Sequence, residues 1–343
     1  MRKTILIIAC VIALCMAGAI APARAGVSAS PQIAGCPIFP ADSIWNARID
    51  ALPMHPRSAA FINSIGPNTT LHPDFGTFWE GAPIGIPFAV VPATQPNVAV
   101  TFGPDGYPAQ SDTGPMPIPP TAPVEGGANA DGDRHVLVLK QGECRLYELY
   151  RAFKIDDSQW QVDSSAIYDL RSHALRPAGW TSADAAGLPM LPGLIRYDEV
   201  KAGEIAHAIR FTAAQTQRAF VWPARHFASS ITNPNVPAMG QRFRLKASKN
   251  LSGYSQDIQV IFTAFKRYGI ILADNGSNWY IGGEHNPAWD DDILVSAFRT
   301  LKGADFEAVD VSSLMLSSDS GQIRSSVVFT PTHWVYAPSV SRP

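Results

Sequence analysis

Proline and glycine set the limits of this chain. Among its 343 residues are 29 prolines and 26 glycines, spread along most of its length rather than gathered in one linker. Proline fixes φ and removes a backbone donor, and glycine punctuates turns, so long uninterrupted helices are not available. A helical bundle is excluded, and short strands joined by ordered loops are the expectation. The densest stretch is residues 67–130, with Pro83, Pro87, Pro92, Pro96, Pro104, Pro108 and a run from Pro115 to Pro123. It also carries Phe75, Phe78, Trp79, Phe88 and Phe102, so it reads as ordered loop with edge strands at Ile86 to Val91 and Val98 to Phe102.

Hydrophobic residues make up 46% of the chain, enough to bury a core. Lys+Arg number 27 against 29 Asp+Glu, with no basic cluster, so nucleic acid is not an expected partner. At the N-terminus, Arg2 and Lys3 precede an apolar run from Thr4 to Ile20, and Ala23-Arg24-Ala25 fits a small-x-small cleavage site. Residues 1–25 therefore read as a signal peptide, and the mature protein is expected to be secreted or periplasmic. No other stretch is apolar enough to span a bilayer, so no membrane partner is expected after cleavage. Cys36 and Cys144 are the only cysteines left in the mature chain. In an oxidising compartment they most simply form one disulfide, with two free buried thiols as the alternative.

Period-two segments concentrate in the middle. His135 to Leu139 and Arg145 to Arg151 form a hairpin signal, and Trp160 to Leu170, Ile205 to Thr212, Ala219 to Trp222 and Arg242 to Ala247 follow as strands. Short helices are expected at Arg57 to Ile65, from Thr181-Ser182-Ala183-Asp184, and at Tyr197 to Gly203. Ile258, Ile261, Phe262 and Phe265 have the i, i+3, i+4, i+7 spacing of a longer one capped by Ser255. Another runs from Asp290 to Gly303. Between these two, Asp274-Asn275-Gly276-Ser277 reads as a hairpin turn joining Ile270–Ala273 to Asn278–Ile281. The fold class is mainly β: a β-sandwich or jelly-roll-like core, a few packed helices and long Pro/Gly-rich loops. Residues 26–310 are expected to form a single β-rich domain, and 311–343 a Ser-rich tail with a strand-like piece at Ser325 to Thr330.

The usual nucleotide, serine-esterase and zincin motifs are missing: no G-x-S-x-G, H-E-x-x-H, P-loop or G-x-G-x-x-G occurs. Asn129 to Asp133 resembles the start of a calcium loop, but position twelve is Lys140, which does not ligate. No metal or cofactor is expected.

Candidate site residues come from polar groups in apolar strands and from aromatic loops. Glu148 shares a strand face with Leu146 and Tyr150; a carboxylate desolvated there suits a general acid. An edge-strand Glu facing water is the plainer reading. Glu199 and Asp274 are candidates for the second catalytic carboxylate, Asp274 being equally well a turn residue. His135 opens the partner strand, and His207 shares a face with Ile209 and Phe211 while Arg210 points the other way. Trp222-Pro223-Ala224-Arg225-His226 brings an aromatic, a fixed cation and an imidazole together, as an anionic substrate requires. His72-Pro73-Asp74 reads as a loop able to reach a cleft or as a turn. All eight tryptophans lie in the mature chain, and those in loops, such as Trp279, suit stacking on sugar rings.

Three stretches, His135 to Tyr150, Leu188 to Thr212 and Tyr268 to Ile281, resemble a widespread group of secreted bacterial proteins without an assigned activity. The likeness spans roughly residues 36–310. It implies that Glu148, Glu199 and His207 recur in more distant members, and it attaches no reaction to them.

Taken together, the sequence points to an enzyme acting on an extracellular polysaccharide by two-carboxylate glycoside hydrolysis. Glu148 is one carboxylate and Glu199 or Asp274 the other, with His135, His207, Trp222, Arg225, His226 and Trp279 on the substrate. A lyase using Arg225 against a uronate carboxylate and His226 or Tyr197 as base is the first rival. A non-catalytic glycan-binding or envelope protein is the second.

Overall fold

The computed structural model describes residues 30–324; the signal peptide expected over residues 1–25 and the strand expected at Ser325 to Thr330 lie outside them. The fold is mainly β, as expected. A six-stranded sheet has the spatial order Phe306–Val309, Arg242–Leu245, Ile270–Asn275, Ile209–Ala213, Tyr280–Gly282 and His72–Asp74. A four-stranded sheet runs Ser164–Asp169, Arg145–Tyr150, Val136–Lys140 and Phe88–Val91. Both mix parallel and antiparallel pairs.

In the four-stranded sheet, period-two alternation sends the two faces into different cores. Val136, Val138, Tyr147 and Leu149 pack with Trp160 and Val162. Leu137, Leu139 and Leu146 join the main core with Phe211, Phe243 and Phe262. Trp160 and Val162 belong to a three-stranded sheet of Phe153–Asp156, Gln159–Val162 and Ala99–Phe102. The strand expected over Trp160 to Leu170 is therefore two strands in two sheets, broken at Asp163, where Arg151 pairs with its carboxylate at 2.9 Å.

Four α-helices pack on this frame: α1 (Ser58–Ile65), α2 (Tyr197–Ala202), α3 (Gln256–Arg267) and α4 (Asp291–Phe298). The apolar spacing places α3, whose Ile258, Ile261, Phe262 and Phe265 are all buried. Each of those side chains contributes about 1.5–3 kcal/mol by leaving water. Asp290 caps α4, accepting from the Ile293 amide at 3.0 Å. Ser255 stands at the start of α3 but makes no side-chain cap bond.

The disulfide forms between Cys36 and Cys144, 108 residues apart, and ties the opening segment to the turn of the Val136–Lys140/Arg145–Tyr150 hairpin. The polar segment after residue 310 returns to the start of the fold. Ile44 donates to Gly321 O at 2.8 Å, and Ile323 donates to Asp42 O at 2.9 Å. Among the described residues no helix is long and apolar enough to cross a membrane.

Several expected elements differ. Asp274 to Ser277 does not join neighbouring strands, because Ile209–Ala213 lies between Ile270–Asn275 and Tyr280–Gly282. The loop instead crosses the end of that inserted strand: Gly276 donates to Ala213 O at 3.2 Å and Thr212 Oγ1 to Ser277 O at 2.7 Å. Thr181 to Asp184 starts no helix, since its polar side chains are spent on tertiary partners rather than on capping. The strand expected from Ile205 begins only at Ile209, and Ala219 to Trp222 is reduced to a bridge between Phe220 and Met239.

Candidate functional site

The two main sheets meet along residues 181–195, a buried segment without ladder partners for most of its length. Some of its backbone groups pair with other backbone, as Ala186 N does with Ala273 O at 2.9 Å, and several of the rest are met by side chains. From the four-stranded sheet, Ser164 Oγ donates to Ser182 O at 2.7 Å, and His135 Nε2 pairs with Ala183 O at 3.0 Å. Glu148 accepts from the amides of Met190 and Leu191, both at 2.9 Å. From the six-stranded sheet, Arg210 donates twice to Asp184, Nε to Oδ2 and Nη2 to Oδ1, each at 3.0 Å. Asp274 Oδ2 accepts from the Ala185 amide at 3.3 Å.

Sheet register brings a row of polar residues onto one face of the six-stranded sheet. Thr212 pairs with Asp274 on one side and Tyr280 on the other, and Gly282 pairs with Asp74. Asp274 reaches this face through a bulge: Phe211 pairs with Leu272 and Thr212 with Asp274, skipping Ala273. A bulge of this kind re-aims the following side chain, here away from the core. Gly282 leaves room for its neighbour. A Cβ there would come within 2.8 Å of Arg210 Cγ and 3.1 Å of Nη1, so the guanidinium lies directly over the glycine.

The charges divide unevenly. Asp184 is buried and ion-paired with Arg210. Asp274 is only half-buried, and its carboxyl is held well above the usual range by burial and then by the charge of Asp184, against a smaller opposing pull from Arg210. His135 is buried; burial opposes its charge, but Glu125, 2.6 Å from Nδ1, outweighs it and pushes the ring up to about 9. Burial would raise Glu125, yet His135 brings it below its ordinary value. Asp74 is exposed, and no hydrogen bond or ion pair among the described residues holds its carboxylate. Burial of its inner side, then Glu125, raise it, with Arg210 opposing and Asp133 adding to the rise. Tyr150 is tilted against His135 at 5.6 Å and pushed up to about 12 by burial and then by Asp133. Asp74, Glu125, Asp133, His135, Tyr150, Asp184, Arg210 and Asp274 thus form one electrostatic neighbourhood, open to water at Asp74, Asp133 and Asp274.

Of the residues expected from sequence, Asp274, His135 and His226 come together here. His226 Nδ1 pairs with Ala185 O at 2.8 Å, beside the amide that Asp274 accepts from. The others lie elsewhere and are corrected. Glu148 has no exposed surface; burial pushes it up to about 7 against its two backbone amides, and no polymer reaches it. Glu199 and His207 form a buried knot with Arg196, Nε2 to Oε2 at 3.0 Å and Arg196 Nη2 to Oε1 at 2.6 Å, which fixes α2. Arg225 is spent on the carbonyls of Arg176 and Ser318 and on Asp319. Trp222 donates to Ser320 O at 2.8 Å, holding the C-terminal segment. Trp279 is completely buried and stacked on Phe211 and Phe306, both at 5.5 Å.

Glu125 and Asp184 were not found from sequence as site residues, and Arg210 was placed only by its face. The alternation of Ile209-Arg210-Phe211 already turned Arg210 away from the core, which was the available signal. Asp74 is legible in the sequence as part of a loop able to reach a cleft or of a turn, and Asp133 as part of a stretch resembling the start of a calcium loop. Phe78 (58%) and Trp79 (56%) are exposed on the small hairpin Phe78–Trp79/Ala82–Pro83 that follows Asp74 in the chain. A groove of about 580 Å³ is lined by Arg134, Phe153, Lys154 and Trp160, but none of the site carboxylates lines it. Arg134 there is already bonded to the carbonyls of Ala128, Ala130 and Ala152. Among the described residues no group of three or more His, Cys, Asp or Glu is arranged to hold a metal ion. Comparison with family profiles, curated proteins and solved structures returns no match.

Proposed function

We propose that the protein is an exported glycoside hydrolase with Asp274 as proton donor and Asp74 as the second carboxylate. One observation carries the reading. A carboxyl held well above its ordinary value by burial and a neighbouring acid shares a sheet face with an exposed carboxylate that no hydrogen bond or ion pair among the described residues engages. Two carboxyl groups in unlike environments are what acid-assisted glycoside cleavage requires. Asp274 gives its proton to the glycosidic oxygen as the bond to the anomeric carbon breaks. Asp74 takes a proton from the water that attacks that carbon, and solvent restores both groups.

Two strands lie between those of Asp274 and Asp74, and Asp74 stands two residues beyond the row of Asp274, Thr212, Tyr280 and His72. Three steps of about 4.8 Å and two residues of about 3.3 Å put the two backbones roughly 16 Å apart. That spacing lies on the wide side of the roughly 6.5–9.5 Å of inverting enzymes and far from the roughly 5–5.5 Å of retaining ones, so inversion is the expected stereochemistry. Phe78 and Trp79 supply exposed rings on which sugar faces stack. The lyase reading loses support because Arg225 is occupied by Asp319 and two carbonyls. The test is release of reducing ends from neutral and charged polysaccharides by the wild type, Asp274→Asn and Asp74→Asn. Turnover by the wild type that both variants lose supports the assignment; turnover retained by both overturns it.

A further inference from the structure

This inference rests on reading the open sheet face as a glycan site, and it names the kind of sugar that face takes. Arg210 is only 6% exposed. Its Nε and Nη2 are spent on Asp184, each at 3.0 Å, but Nη1 has no hydrogen-bond partner among the described residues and is not sealed from water. The register of Phe211 with Ile281 and of Thr212 with Tyr280 sets Arg210 opposite Gly282, and Gly282 pairs on its other side with Asp74. Arg210, Gly282 and Asp74 therefore form a row on one face, with about 10 Å between the outer backbones. A Cβ at Gly282 would lie 3.1 Å from Nη1, so that nitrogen reaches over the glycine toward the strand of Asp74. Glycine at such a position lets a ligand come close to the backbone. A guanidinium only donates, so the free Nη1 calls for an acceptor oxygen.

A sugar hydroxyl and a uronate carboxylate both offer that oxygen, and the surrounding charge decides between them. The positive charge of Arg210 is already matched by its two-point pair with Asp184. His135 is matched by Glu125, and Arg151 by Asp163. Asp74 and Asp133 are exposed acids that no ion pair among the described residues engages. A uronate on this face therefore meets like charge and no uncommitted cation, which suppresses its binding. A hydroxyl meets the same free donor without that opposition. We propose that Arg210 Nη1, standing over Gly282 and facing the strand of Asp74, is the hydroxyl donor of a subsite that takes an uncharged sugar unit and turns uronates away. Arg210 is the specificity-determining residue of that subsite, and Asp184 holds its donor in place.

The test uses the whole mature protein, labelled with nitrogen-15 arginine, and matched probes. These are the methyl glycosides of glucose, galactose and mannose, and the corresponding methyl uronides, which carry a carboxylate in place of the hydroxymethyl group. The Arg210 side-chain signal is identified by its loss in Arg210→Lys. A neutral glycoside should shift that signal, and its uronide should bind about ten-fold more weakly, or worse, at low salt. Gly282→Ala brings a Cβ within 2.8 Å of Arg210 Cγ and should weaken the neutral glycoside by about ten-fold or more. Arg210→Lys keeps a cation beside Asp184 but has no Nη1; it should show the same loss, and it serves if Gly282→Ala does not fold. The proposal is overturned by uronides that bind as tightly as their neutral partners, or by neutral binding that leaves the Arg210 signal unmoved. Wild-type affinity in the folded variants, or no binding by any probe, overturns it too. Release of reducing ends separates this outcome from the hydrolase reading. Binding without turnover of any polysaccharide sinks the hydrolase and leaves the subsite, whereas turnover confined to uronate polymers sinks the subsite and leaves the hydrolase.

Discussion

Raising the pH through 9 should cost this protein a defined part of its stability, and His135 is the reason. The ring is buried between Glu125 and the Ala183 carbonyl, and its proton is held to about 9 instead of the ordinary 6.5. A group whose folded value is raised contributes stability that is complete below 6.5 and is lost as pH climbs through 9. At 1.36 kcal/mol per pH unit, the loss is about 3 kcal/mol. The side chain is only 5% exposed, so solvent screening takes little from that figure. Urea unfolding midpoints of the wild type and His135→Gln, disulfide intact, measured at pH 6, 8 and 10, isolate the contribution. The wild type should lose about 3 kcal/mol more than the variant between pH 6 and 10. Parallel pH curves for the two proteins would refute the reasoning, because they would mean that the imidazolium adds nothing to the folded state.

Other consequences follow from the same packing. Glu148 is raised to about 7, so its contribution is present below 4.5 and fades as pH rises through 7. Glu148→Gln should flatten the urea-stability profile between those values and leave turnover intact. Replacing both Cys36 and Cys144 with serine releases a link spanning 108 residues and should lower stability by about 4–5 kcal/mol in the chain-entropy account, read as a lower urea midpoint. Trp279→Ala opens a cavity among Phe211, Phe243 and Phe306 and should cost about 3–5 kcal/mol, measured the same way. An exposed sugar-binding tryptophan would instead lose binding and keep its stability.

The sequence carries local facts well. The spacing of Ile258, Ile261, Phe262 and Phe265 places α3, and the alternation through Leu146, Glu148 and Tyr150 sets the face on which Glu148 lies. What that face meets is decided by a segment some forty residues away, whose amides at 190 and 191 take the carboxylate. Periodicity gives direction, not destination. Asp274 shows the same division. Its Asp-Asn-Gly-Ser surroundings read as a turn, but insertion of Ile209–Ala213 between the flanking strands and the bulge at Ala273 make it a site residue. Neither event has a local signature. Asp184 was hidden for a related reason, since a Ser and an Asp near a helix-like start are equally suited to capping and to holding an arginine.

The account stands or falls on whether Asp274 delivers a proton to a glycosidic bond. The direct measurement is hydrolysis of a polysaccharide that the wild type cleaves, compared with hydrolysis of an aryl glycoside of the same sugar whose leaving group needs no protonation. Asp274→Asn should lose the first reaction by a factor of about 10²–10⁴ while keeping most of the second. Equal losses on both substrates, or no loss on the polysaccharide, would contradict the assignment of Asp274 as the acid.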